Sequence, residues 1–219
     1  MNYILLGNKN HSFFAFYSSY KEQQSSNISF PFENYKLVFD IKDVPEGATV
    51  FCVSYPKILS PSELSRFHHC IIIHASDLPH GKGWSPHVWQ ILEGKTSIVM
   101  SAISADVELD SGPIWAKLTM NVPDNVLYSE IYEIIFVNHL KLFEIVSNKI
   151  ENNFIPIPQV DNPSNFYKRR KPEDSFVDID STICEIFDLL RVSDPVHYPV
   201  HFRYRDQTFK LLISKHEPN

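Results

Sequence analysis

Apolar positions in the first half of the chain come in short continuous runs, not in strict alternation. Tyr3–Leu6, Lys36–Phe39, Thr49–Tyr55 and Cys70–Ala75 are such runs, separated by polar stretches and by breaks such as Pro45-Glu46-Gly47. Runs of this length suit strands buried on both faces, as in parallel sheets. The segment Asn10–Asn34 is rich in Phe, Tyr and Ser and yields no helix assignment, and Asn27–Phe32, which holds Pro31, reads as loop. After the fourth run, Ser76–Trp84 carries two glycines and a proline, the mark of a loop. Ser85-Pro86 then predicts a helix start, with Ser as cap and Pro in the first turn, running to about Leu92 and stopped by Gly94.

Further along, Ser97–Ile103 and Ile114–Met120 read as strands joined by an acidic loop, Ser104–Gly112. Between Asn125 and Glu151, Ile131, Ile134, Ile135, Leu142, Ile145 and Val146 recur at helical spacing and predict a long helix packed on the sheet. Pro156, Pro158, Pro163 and Pro172 mark a linker. A short helix, Thr182–Arg191 with Ser181 as cap, and a hairpin of Val200–Tyr204 and Thr208–Ser214 follow. The pattern therefore predicts an α/β fold with a mostly parallel sheet over residues 1–155. A linker and a small helix-plus-hairpin appendage fill 156–219.

Composition narrows the classes. At 219 residues, 43% hydrophobic and 21% charged, the chain has the make-up of a globular protein. A net charge of −6 provides no electrostatic footprint for a nucleic-acid backbone, and Lys168-Arg169-Arg170-Lys171 is only a short basic cluster. No stretch reaches the roughly 20 apolar residues of a membrane helix. The start, Met1–Gly7, reads as a buried strand instead of a signal peptide. The three cysteines, Cys52, Cys70 and Cys184, form no Cys-x-x-Cys and no disulfide framework, which points to a reducing cytoplasm.

His74 stands at the end of a buried strand, and ligands of open α/β sheets bind beyond the carboxyl ends of strands. Asp110 lies in a tight turn, Glu108–Pro113; a carboxylate beside an imidazole fixes its tautomer and supports proton transfer. His68, His69, His80, His87, His197 and His201 show no zinc-ligand spacing, so no metal is expected. Gly81-Lys82-Gly83 lacks the rest of a dinucleotide fingerprint, and no phosphate loop or nucleophile elbow is present.

The segment Ile73-His74-Ala75-Ser76-Asp77-Leu78-Pro79-His80-Gly81-Lys82-Gly83-Trp84-Ser85-Pro86 resembles the folate-dependent formyltransferases, whose pattern is His-x-Ser-x-Leu-Pro followed by a glycine-bearing loop and a helix. Asp106–Ile114 resembles the family's second signature, and Val50–Leu59 its strand and loop that wall the folate pocket. The match covers roughly residues 49–120. Phe166–Ser175, Ile186–Arg191 and Tyr198-Pro199 look like the tail of the branch that acts on nucleotide-linked amino sugars for surface glycans.

The resemblance implies a Rossmann-like formyltransferase core, shortened at its N-terminal part, and N10-formyltetrahydrofolate as formyl donor. It implies His74 as acid/base and Asp110 as its partner. It implies folate contacts from Ile58, Leu59, Ser76, Leu78, Pro79, Ser104, Ala105, Asp106, Glu108 and Asp110, and substrate contacts from His80, Lys82, Trp84 and Tyr167. The family's histidine works with an asparagine two residues earlier. Ile72 stands there and cannot donate a hydrogen bond. Hydrolysis of the same donor, formylation of initiator methionyl-tRNA and non-catalytic binding of folate or nucleotide sugar are the alternatives; the acidic charge and short tail argue against the tRNA. Partners are then a nucleotide-linked amino sugar and tetrahydrofolate, with neither nucleic acid nor membrane. A homodimer through the hairpin, with Phe202, Tyr204, Phe209 and Leu211, completes the expectation.

Overall fold

The computed structural model describes residues 3–23, 30–160 and 165–216. Six strands form one sheet in the order β2-β1-β3-β4-β6-β7. β1 (Tyr3–Gly7), β2 (Tyr35–Val38), β3 (Thr49–Val53) and β4 (His69–His74) pair in parallel. β6 (Ser97–Ser104) and β7 (Ile114–Asn121) add an antiparallel edge. Every residue of β1 is buried, as a strand covered on both faces requires.

Two apolar layers cover the sheet. On one side Leu5, Phe51, Ile71, Met100 and Ala102 pack under α4 (Tyr128–Glu151), α1 (Ser12–Gln23) and α3 (Pro86–Leu92). On the other, Ile4, Leu6, Val50 and Cys70 meet Ile41, Val44, Leu59 and Phe67, which come from loops and the single turn α2 (Pro61–Leu64). That thin second cover leaves open space above the carboxyl ends of β3 and β4.

Several sequence expectations change. The aromatic-rich segment contains α1: Phe13 and Tyr17, one turn apart, are buried, and the Phe13 ring lies 5.4 Å from that of Phe136 on α4. Tertiary packing, not propensity, holds this helix. A 3-10 turn, Phe32–Asn34, begins at the last residue of the predicted loop, whose residues 27–29 lie outside the described residues, as does Pro163 of the linker. Ser85 precedes α3 but takes left-handed geometry (φ 46°) and forms no side-chain cap. Thr182, not Ser181, caps α5 (Ile183–Val192), because its hydroxyl reaches the Glu185 amide while the Glu185 carboxylate returns to the Thr182 amide.

The hairpin is β9 (Val200–Tyr204) and β10 (Gln207–Leu211), whose second strand starts one residue earlier and ends three residues earlier than expected. Arg205 and Asp206 both take positive φ, the backbone of a two-residue hairpin turn. Val177, Ile186, Leu190 and Val200 form a small third core there. The appendage is tied to the main body: Val192 joins the central core, and buried Arg191 donates to the Pro123 carbonyl and the Asp188 carboxylate. The linker is not loose either. Ile157 bridges Ile114, and the short strands β5 (Lys82–Gly83) and β8 (Phe166–Tyr167) pair in parallel.

Candidate active site

His74 closes β4, and its side chain is buried beside Asp110. The Nδ1 atom lies 3.5 Å from Asp110 Oδ1, an ion-pair distance that is long for a hydrogen bond. Nε2 lies 2.9 Å from the Gly81 carbonyl, which only accepts, so Nε2 carries a proton and a neutral ring keeps its lone pair on Nδ1, towards Asp110. Both ring nitrogens thus face oxygen acceptors, and the ring can hold a proton on each.

Asp110 is held in an uncommon backbone. Its φ is 54°, the left-handed region that Asp tolerates better than most residues. Its Oδ2 accepts from the Gly83 amide at 2.9 Å. Gln159, from the linker, donates its Nε2 to the carbonyls of Asp110 and Gly112 at 2.9 and 2.8 Å. Gly112 passes so close to the Ser104 carbonyl that a Cβ would collide with it. Gly83, at φ 109°, is pressed in the same way against Tyr167. These two glycines let the loops approach each other.

The 75–79 turn is fixed from below. Ser101 Oγ donates to the Ser76 carbonyl and accepts from the Leu78 amide, Gln90 donates to the Ala75 carbonyl, and Lys117 reaches Asp77 and the Leu78 carbonyl. The Leu78-Pro79 peptide is cis.

A cavity of about 650 Å³ opens beside the pair. Of the residues expected on the folate side, Ile58, Leu59, Ala105, Asp106 and Asp110 line it. Ser76, Leu78, Pro79, Ser104 and Glu108 do not. Leu78 is fully buried in the turn, and the buried Ser76 hydroxyl has no partner. Pro79 sits half-buried in the same turn, Ser104 Oγ accepts from Trp115 Nε1, and Glu108 points to solvent. On the substrate side Trp84 stands at the rim, half exposed, with the Arg169 guanidinium 5.0 Å from its ring. Lys82 adjoins Gly83 outside the lining, and His80 is exposed away from it. Tyr167 is packed, not presented: its hydroxyl donates to Glu93, and its ring is parallel to that of Trp89, 6.4 Å away.

Ile72 lines the cavity and brings no hydrogen-bonding group to it. Cys52, Tyr55 and Lys57, within the Val50–Leu59 segment expected to wall the folate pocket, also line the cavity, and so does His139, which the sequence reading did not single out. A histidine between Phe136, Leu140 and Phe143 on the buried side of α4 is the sequence signal for the last. Gln159 has no comparable signal, because its role depends on a linker folding back on the core. The Cys52 thiol lies 3.6 Å from that of Cys70; that contact and burial push it well up. Among the described residues no group of His, Cys, Asp and Glu could hold a metal ion, and no helix is long and apolar enough to cross a membrane. A second hollow of about 410 Å³ lies between the start of α4, α5 and the hairpin, away from His74.

Residues 42–138 match the family model described as formyl transferase. The chain is 25% identical over 173 residues to a methionyl-tRNA formyltransferase of Clostridium novyi, covering 78% of this chain and 55% of that protein. It spans about half the length of the curated relatives it matches. A 4-N formyltransferase from Francisella tularensis superposes with a TM-score of 0.71 at 18% identity, covering 99% of both chains. HypX from Aquifex aeolicus, solved with tetrahydrofolic acid, superposes at 0.74 and 16% identity, covering 97% of this chain and 37% of that one. His74 and Asp110 both lie inside residues 42–138, the region that matches the formyl transferase model.

Proposed function

We propose that the protein transfers a formyl group from N10-formyltetrahydrofolate to the amine of a nucleotide-linked amino sugar. The observation that carries this reading is the buried His74–Asp110 pair at the mouth of an apolar-walled cavity, within the region that matches the formyl transferase model. About 650 Å³ falls within the range of pockets that enclose a drug-sized ligand. Ile58, Leu59 and Ala105 give a flat bicyclic ring apolar walls, and Asp106 and the loop backbone give its edge hydrogen-bond partners.

The neutral amine attacks the formyl carbon, and a carbon–nitrogen bond forms as a tetrahedral intermediate. His74 Nδ1 takes the proton released by the amine and passes it to N10 as the bond to folate breaks. Asp110 stabilises the doubly protonated ring, and Gly81 keeps its orientation. The sugar branch is supported by the full-length superposition on the Francisella enzyme. The names of the curated relatives favour initiator methionyl-tRNA as the second acceptor to try. We place the reaction in the cytoplasm. The hairpin is the dimer contact in this reading, with Tyr204 and Phe209 about half exposed.

The test mixes protein, N10-formyltetrahydrofolate and a panel of nucleotide-linked amino sugars, with initiator methionyl-tRNA and water-only arms. Tetrahydrofolate release and product mass are followed. A sugar heavier by one formyl group, lost in His74→Ala and Asp110→Ala, supports the reading. Release without a formylated product identifies a hydrolase, and binding without release a non-catalytic protein.

A further inference from the structure

A second imidazole borders the cavity. His139 Nδ1 lies 2.8 Å from the Ile135 carbonyl, and a carbonyl only accepts, so Nδ1 carries the ring's proton. Nε2 therefore keeps a lone pair. No described residue donates to Nε2, the atom is not sealed in the interior, and His139 is one of the residues that line the cavity. The ring is fixed between Phe13 and Phe143, with centroids 5.9 and 6.0 Å away. Burial pushes this imidazole down to about 4, with His11 adding to the effect, so the ring is neutral at pH 7. His87 differs: its unpartnered Nε2 is sealed in the interior, and the residue does not line this cavity.

An acceptor-only nitrogen selects its ligand. It repels the formyl oxygen and any phosphate, and it attracts an N–H or O–H. Position narrows the choice further. His139 arrives from the α4 side of the sheet, whereas Leu59 and Ala105, walls of the proposed folate position, pack with the opposite layer. With the folate walls in that opposite layer, the transfer reading leaves the α4 side to the acceptor amine.

We propose that His139 Nε2 accepts one N–H of the nucleophilic amine and thereby turns the amine lone pair towards the formyl carbon. This rests on the transfer reading above. The second N–H supplies the proton that His74 takes. His139 thus orients the nucleophile from a position unrelated to that of Ile72.

His139→Phe keeps the ring volume beside Phe13 and Phe143 and removes the acceptor; His139→Gln returns an amide oxygen. With the amine that the wild type formylates, His139→Phe is expected to lower kcat/KM for the amine by about 10- to 100-fold. Tetrahydrofolate affinity stays within about twofold, and His139→Gln recovers much of the loss. An unchanged kcat/KM in His139→Phe overturns the proposal. So does a loss shared equally by folate affinity and left unrescued by glutamine, which marks a packing role. If the wild type formylates nothing on the panel, the transfer reading has failed, and nitrogen-15 resonances of His139 then decide separately. A shift of Nε2 when an amino sugar joins the tetrahydrofolate-saturated protein supports the contact; an unmoved Nε2 with amino sugar bound, or no amino sugar binding at all, overturns it.

Discussion

Gln159→Leu tests how the Asp110 carboxylate is held. Gln159 makes two hydrogen bonds, to the carbonyls of Asp110 and Gly112, on either side of the tightest approach in the loop. Each such bond contributes about 1 kcal/mol net, so their loss loosens the turn by about 2 kcal/mol. Part of this returns in global stability, because the Gln159 Oε1 is itself buried without a partner and disappears with the substitution. The local effect is different. Asp110 sits at φ 54°, a backbone that costs about 1–2 kcal/mol for a residue with a Cβ. With the clamp gone, right-handed conformers compete, and a 2 kcal/mol change in their balance is about a 30-fold change in population. We therefore expect kcat to fall about 10- to 30-fold, with KM for the folate donor changed by less than threefold and the melting temperature lowered by only a few degrees. Steady-state kinetics and thermal melts measure both. Gln159→Glu should behave like Gln159→Leu, because a carboxylate cannot donate to two carbonyls. A kcat within twofold of wild type in a destabilised variant would refute the reasoning and reduce Gln159 to an ordinary structural clasp.

Ile72→Asn places a hydrogen-bond donor where the family has one, and should raise kcat about tenfold or more if an oxyanion forms there; unchanged turnover shows that another group already serves. Stability should fall as the medium is acidified from about pH 6.5 to 4. Burial pushes His87 and His139 each down to about 4, so the unfolded chain binds more protons in that window, and each group removes about 3 kcal/mol by its lower end. Denaturant melts across this range should show the slope, and His139→Phe should flatten it. Arg191→Leu should cost about 1–2 kcal/mol, because the Pro123 carbonyl loses its buried donor while Asp188 can turn to solvent; equal melting temperatures for variant and wild type would contradict this.

The parts of this molecule that were legible in the sequence are those with local causes. Buried strands show as apolar runs, α4 as a periodic stripe, and the loop between β4 and α3 through Gly81, Gly83 and Pro86. His74 stands out because a histidine ending an apolar run is chemically conspicuous, and Asp110 because a glycine and a proline follow it closely. The misses have non-local causes. Helix α1 carries aromatics on several sides, and Phe13 and Tyr17 become an inner face only when α4 and Tyr35 cover them. Ser76 and Leu78 belong to a motif whose side chains turn into the fold and fix the turn after His74, leaving the cavity lining to His74, Gly83 and Trp84 on either side of it. Tyr167 could be read as a ligand platform from sequence, yet Glu93, 74 positions away, already takes its hydroxyl. Gln159 is visible only once the linker is known to run back along β7.

The pairing of β5 with β8 has a consequence for how the protein opens. The Gly83 amide donates to Asp110 and the Trp84 amide to the Tyr167 carbonyl, and Gly83 is packed so closely on Tyr167 that no room is left for slippage. The Trp84 amide hydrogen can then exchange with solvent only when residues 166–167 detach, so it and the start of the C-terminal segment should share one opening free energy, whereas the Gly83 amide is released only when Asp110 lets go. Cutting the chain after residue 155 would remove that segment, and the isolated core would carry His74 beneath a loop that no longer has a fixed closed state.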